Sequence, residues 1–276
     1  MRVREPMVAG SFYPNNRDEL VDMVENLVKE ARLGHDVENA VSYVAPHAGY
    51  VYSGRTAAYT FSAILGRKGV EEIETFVVIG PNHTGNGRPI AVSMQDWSTP
   101  IGVVQNDKEL SGAIAKMEGI EEDEDAHREE HSVEVELPFV KQLFPDAKAC
   151  FICMGDQEIG SAELLSDSVI SAEKELGRKI IVIASSDFNH YEPRAVAQRK
   201  DRPLFELLEK MDARGFYRKK DEQNESACGY GPIATALLYA KKAHNASRGV
   251  LLHNSDSGDE TGDTESVVDY AALAFC

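Results

Sequence analysis

Apolar residues in this chain fall into two rhythms that alternate from end to end. Residues 15–32, NNRDELVDMVENLVKEAR, open with asparagine, a good helix cap, and put Leu20, Val24, Leu27, Val28 and Ala31 on one helical face. VSYVA at 41–45 reads as a strand, and GRTAAYTFSAIL at 54–65 as a helix. TFVVIG at 75–80 is a continuous apolar run, the pattern of a strand covered on both faces. PIAVSM (89–94) and IGVVQN (101–106) predict further strands joined by a turn-rich QDWSTP. HSVEVELPFVKQLF at 131–144 predicts a helix that Pro138 kinks or divides. ACFICMG (149–155), a helix over about 161–176 and KIIVIASSD (179–187) keep the alternation going. A helical region over about 194–210 follows, then GPIATALLYAKKAH (231–244), a helix with proline in its first turn. RGVLLHN (248–254) and SVVDYAALAF (266–275) close the chain as strands.

Apolar strands alternating with helices predict an α/β protein with a mainly parallel central sheet flanked by helices on both faces. No linker rich in Pro, Gly or Ser divides the chain and no internal repeat is visible, so residues 1–276 read as one domain. EEDEDAHREE at 121–130 reads as a loop entering a helix, and NSDSGDETGD at 254–263 as a second polar loop.

Charge narrows the partners. Asp and Glu number 46 against 29 Lys and Arg, a formal net charge of −17, which repels nucleic acid and anionic membrane surfaces. No stretch approaches the roughly eighteen apolar residues of a membrane span, and the first twenty residues lack the apolar core of a signal peptide. The four cysteines, Cys150, Cys153, Cys228 and Cys276, are too sparse for a disulfide framework, so the expected compartment is a reducing cytoplasm. Cys150 and Cys153 form a C-x-x-C inside a predicted strand, where a period of two sends them to opposite faces, so they read as core residues.

Candidate chemistry sits where strands end. His47 follows VSYVAP, His83 follows TFVVIGPN, and Asp187 and His190 follow KIIVIASS. Ligands of open α/β sheets bind outside the carboxyl ends of the strands, so neighbouring strands would bring these side chains into one pocket. Imidazoles with a carboxylate or thiolate make a transition-metal site; a histidine tying down a turn is the bland alternative for each one singly. His127 and His131 in HREEHSVE share a spacing of four, but Arg128 stands where a zinc-protease helix needs glutamate. The 254–263 loop lacks the D-x-D-x-D-G order of a calcium loop. Cys228, in SACGYGP at the start of a helix, is placed for a lowered thiol pKa, or is simply a small residue in a tight turn.

GSFYP, APHAGYVYSG, IGPNHTG, EEHSVEVELPF, SSDFNHY and ACGYGPI occur in an order and spacing that resembles the Memo family, over nearly the whole chain. That family is similar in fold to the class III extradiol dioxygenases, which use non-haem Fe(II). The resemblance implies a metal site of His47, His83 and Cys228, with Cys228 standing where the dioxygenases have a carboxylate. It also implies that Asp187 and His190 line the pocket, His190 as the acid/base group, and that His131 and Tyr52 support the site. A thiolate beside two imidazoles favours copper or zinc over Fe(II) and is easily oxidised, which weakens the case for ring cleavage. Animal members are associated with copper or iron handling, redox control and phosphotyrosine peptides. Microbial members often occur alongside a radical-SAM protein, so a functional link to one is expected.

Three functions follow as expectations. The first is a metal-dependent redox protein, an oxidoreductase of dioxygenase-like type, holding copper or iron. The second is a non-catalytic protein that uses the same pocket for a peptide or a small anionic ligand. The third is a hydrolase, for which the Cys-His-His set would most naturally hold zinc.

Overall fold

A computed structural model describes residues 3–34 and 37–276. In chain order the elements begin with β1 (Val3–Arg4), α1 (Arg17–Glu30), β2 (Ser42–Ala45), α2 (Tyr50–Leu65), β3 (Thr75–Pro81), β4 (Ile90–Ser93), β5 (Asp96–Thr99) and β6 (Gly102–Val104). Next come α3 (Lys108–Ile114), β7 (Glu121–Glu122), α4 (Leu137–Leu143), β8 (Lys148–Met154), α5 (Ile159–Leu176), β9 (Ile180–Ser185) and β10 (His190–Glu192). α6 (Arg194–Glu209), α7 (Ala213–Gln223), α8 (Tyr230–His244), β11 (Gly249–Asp256), α9 (Gly258–Thr261) and β12 (Val267–Phe275) complete the chain.

The main sheet runs β10-β12-β2-β9-β3-β8-β4-β7, with β11 paired to β12. Its centre, β2-β9-β3-β8, is parallel, while β12 joins β2 and β4 joins β8 in antiparallel fashion. The sheet is therefore mixed and largely parallel, with helices on both faces. Period two divides its side chains: Val77, Ile79 and Ile152 face a layer holding Leu165, Leu204, Phe216 and Leu237, and Phe76, Val78 and Phe151 face one holding Leu20, Phe61 and Phe139. Each such fully buried side chain contributes about 1.5–3 kcal/mol. Cys150 and Cys153 are both free and buried, and they pack in different clusters.

α1 starts as its sequence suggests, with the Asn16 side chain accepting from the amides of Asp18 and Glu19. Three segments depart from the periodic pattern. QDWSTP contains a strand: Trp97 and Thr99 are buried while Asp96 and Ser98 are not, and β5 pairs with both β1 and β6. Residues 131–144 do not form a single helix. A 3-10 turn at Glu134–Glu136 precedes α4, and Pro138 stands in the first turn of α4, where a missing N–H costs nothing. α7 has no counterpart in the periodic pattern, because its charged sequence buries little beyond Ala213 and Phe216.

No helix among the described residues is long and apolar enough to cross a membrane.

Candidate functional site

β2, β9 and β3 lie side by side and point the same way, so the residues just beyond their ends share one rim. His47 follows β2, Asp187 follows β9 and His83 follows β3. The His47 amide donates to Asp187 Oδ1 at 2.9 Å, and the His47 and His83 rings meet edge to face with centroids 5.2 Å apart. A cavity of about 630 Å³ opens over this rim, lined by His47, His83, His131, Asp187, His190 and Cys228, with Phe12, Tyr52, Tyr191 and Tyr270 as its aromatic wall.

Two glycines bring distant segments to the rim. A Cβ on Gly80 would lie 2.2 Å from Ser132 Oγ, so only glycine lets the 130–133 segment pack directly on β3. Ser132 Oγ then donates to the Pro81 carbonyl at 2.9 Å. His131 thereby stacks on His83 at 4.7 Å and meets His47 edge-on at 5.5 Å. A Cβ on Gly229 would lie 2.5 Å from the Ser185 carbonyl. The start of α8 therefore sits against the end of β9 and carries Cys228 Sγ to 3.2 Å from His47 Nε2.

One ring nitrogen from each of His47, His83 and His131 lies within 4.8 Å of the others, a grouping that could hold a metal ion. The Nδ1 atoms of His47 and His83 are already engaged. His83 Nδ1 donates to Glu130 Oε1 at 2.9 Å, and His47 Nδ1 lies 2.8 Å from Ser185 Oγ. This turns both Nε2 atoms away from Glu130 and Ser185, as ligating imidazoles require, with His47 Nε2 meeting Cys228 Sγ at 3.2 Å. His190 is arranged alike: its Nδ1 faces the Ser226 carbonyl at 3.1 Å, and because a carbonyl only accepts, Nδ1 carries the proton and Nε2 the lone pair.

Glu130 is the hub of the loop. It is fully buried and accepts from the amides of His83, His131 and Ser132 as well as from His83 Nδ1. Burial alone would raise its pKa, but the hydrogen bond and charge of His83 and the surrounding amides outweigh it and hold the carboxyl at about 2. Burial likewise opposes protonation of His83, but Glu130 prevails and raises its pKa. Burial lowers His47, aided by His83 and His131. Burial also lowers His131 and His190. Arg4, buried over the Trp97 ring, fixes the loop from behind by donating to the carbonyls of His127 and Glu130 and to Glu134 Oε2.

Cys228 differs from its sequence expectation. Burial, reinforced by the Asp187 charge, pushes the thiol up, so desolvation overrides the adjacent helix start. Burial also raises Asp187 to about 7, against the opposing His47 amide and His83 charge. Tyr52 stands at the cavity mouth, 44% exposed. His127 is fully buried against Trp97, with Nε2 facing the Ala91 carbonyl, away from the imidazole group.

The structure thus brings His47, His83, Asp187, His190 and Cys228 to one cavity, and places His131 inside the imidazole group. Glu130, Ser185 and Glu136 were not singled out in the sequence. Glu130 stands beside His131 within a run of acidic residues, where adjacency to a histidine was the one available signal.

Fold and cavity together define a mixed α/β protein with an imidazole-rich pocket at the carboxyl rim of its sheet, able to hold a metal ion. The chain belongs to the Memo-like protein family, whose model matches residues 4–274. It is 42% identical over 273 residues to a MEMO1 family protein of Archaeoglobus fulgidus, covering 99% of each chain. It is 43% identical over 276 residues to a MEMO1 family protein of Methanococcoides burtonii, covering 98% of this chain and 99% of that one.

Proposed function

We propose that this is a metal-dependent redox protein whose ion is held by His47 and His83, with His131 as third imidazole and Cys228 as a thiolate donor. The observation that carries this reading is the convergence of three imidazoles, those of His47 and His83 oriented through Nδ1 by Ser185 and Glu130. A thiolate among imidazoles suits copper or zinc better than Fe(II), and of these copper is the redox-active ion. A bound copper or iron would supply one-electron redox chemistry.

The chain's own groups then have definite tasks. His190 Nε2 offers a lone pair to a ligand proton, while the Ser226 carbonyl keeps the ring oriented. Asp187, whose carboxyl burial raises in the metal-free protein, lies on the same cavity and can hold a proton there. Phe12, Tyr52, Tyr191 and Tyr270 shield an organic ligand from water. Protein purified without added metal should retain about one copper or iron per chain, and His47→Ala should lose it. Oxygen consumption with small aromatic and thiol compounds tests turnover. Full metal content in both His47→Ala and Cys228→Ser would remove the proposed ligands.

Cavity size favours a second reading. A volume of about 630 Å³ with an aromatic wall greatly exceeds the needs of an ion, which suits capture of a small anion or peptide without chemistry. Calorimetric titration with a phosphate-bearing peptide separates the two, since affinity unchanged by a chelator supports binding alone.

A further inference from the structure

Behind His47 lies a chain of polar groups reaching away from the cavity, all of them buried: Ser185, Ser132 and Glu136. Ser185 Oγ is 2.7 Å from the Ser132 carbonyl, 2.9 Å from Glu136 Oε1 and 2.8 Å from His47 Nδ1. A hydroxyl gives one hydrogen bond and accepts two. The carbonyl can only accept, so it takes the hydroxyl proton. Glu136 Oε1 and His47 Nδ1 must then both donate to Ser185, since otherwise lone pairs would face each other in a dry interior.

We propose that Ser185 is a positioning residue that fixes His47 as its Nδ1–H tautomer, with Glu136 held as a neutral acid that gives the hydroxyl its second incoming hydrogen bond. Burial independently pushes the Glu136 carboxyl well above its usual range, in the same sense as the nearby Asp187 charge. Among the described residues Glu136 Oε2 has no partner, which a neutral acid tolerates far better than an anion does. The rest of the network agrees. With Nδ1 protonated, Nε2 of a neutral His47 is an acceptor facing Cys228 Sγ at 3.2 Å, where the thiol, which also has the Asp187 carbonyl at 3.6 Å, can donate to it. The two imidazoles are therefore backed differently: His83 by an ionised carboxylate, His47 by an uncharged relay. For metal affinity this inference rests on the reading of His47 as a ligand, but the tautomer itself does not.

Nitrogen-15 NMR of the metal-free protein reads the tautomer directly. His47 should be Nδ1–H in the wild type and in Glu136→Gln, whose amide can replace the acid as donor. Ser185→Ala should populate the Nε2–H form. At neutral pH Glu136→Gln should remove one protonated-carboxyl contribution from the wild-type infrared spectrum, leaving those of other buried acids such as Asp187 and Asp201. In a zinc titration, Ser185→Ala should bind roughly 10–100-fold more weakly, as loss of a histidine's outer partner generally does, with Glu136→Gln close to wild type. A wild-type His47 carrying its proton on Nε2, or an infrared spectrum that Glu136→Gln leaves unchanged, overturns the proposal; both readouts stand even if Ser185→Ala fails to fold. Absence of zinc binding in the wild type would instead count against the metal centre, with the tautomer assignment decided separately by NMR.

Discussion

Replacing Glu130 by glutamine should uncouple the histidine loop from its anchor, and the size of the effect can be worked out. The carboxyl sits at about 2 instead of its ordinary 4.5, which corresponds to about 3 kcal/mol at roughly 1.4 kcal/mol per tenfold change in acidity. Since the folded-state value is the lower one, the unfolded chain takes up a proton first as pH falls. The contribution is therefore complete above about pH 4.5 and is lost between there and about pH 2. Glutamine offers one acceptor oxygen to the donors of His83, His131 and Ser132 and turns an amide group toward the rest. Urea denaturation of metal-free wild type and Glu130→Gln at intervals from pH 7 to pH 3 tests this. At pH 7 the variant should be about 3 kcal/mol less stable, and the gap should narrow on acidification. A gap that is absent at pH 7, or constant down to pH 3, would refute the reasoning that the ionised carboxylate holds the loop.

Gly229→Ala should bring a Cβ to 2.5 Å from the Ser185 carbonyl and 2.7 Å from Ser186 Cβ, lowering stability by about 1–3 kcal/mol. It should also move Cys228 off His47, which thermal melting together with thiol accessibility to an alkylating reagent would register. Arg4→Met should leave Glu134 buried without its cation, at a cost of about 3–5 kcal/mol in urea unfolding. Because Arg4 also holds the carbonyls of His127 and Glu130, the same variant should weaken zinc binding at the distant imidazole group.

Strand ends were legible because their cause is local. Short, mainly apolar runs mark β2, β3 and β9, and chain direction then fixes which residues stand at the carboxyl rim. His47, His83 and Asp187 could be placed there without coordinates. The position of His131 depends on a glycine fifty-one residues earlier whose missing side chain admits Ser132, and no periodicity encodes such a pairing. Glu130 and Glu136 look like surface acids, yet both are fully buried; their roles follow from a packing arrangement that only the folded chain creates. Residues 131–136 were misread for the same reason. Their apolar spacing suits a helix, but before α4 the chain forms only a 3-10 turn at Glu134–Glu136.

X-ray absorption at the copper edge, on protein loaded with one equivalent of Cu(I), tests the proposed centre most directly. The proposed centre predicts imidazole scattering together with a single sulfur neighbour, the sulfur disappearing in Cys228→Ser and the metal itself in His47→Ala. A spectrum of oxygen neighbours alone, the same in all three proteins, would contradict it.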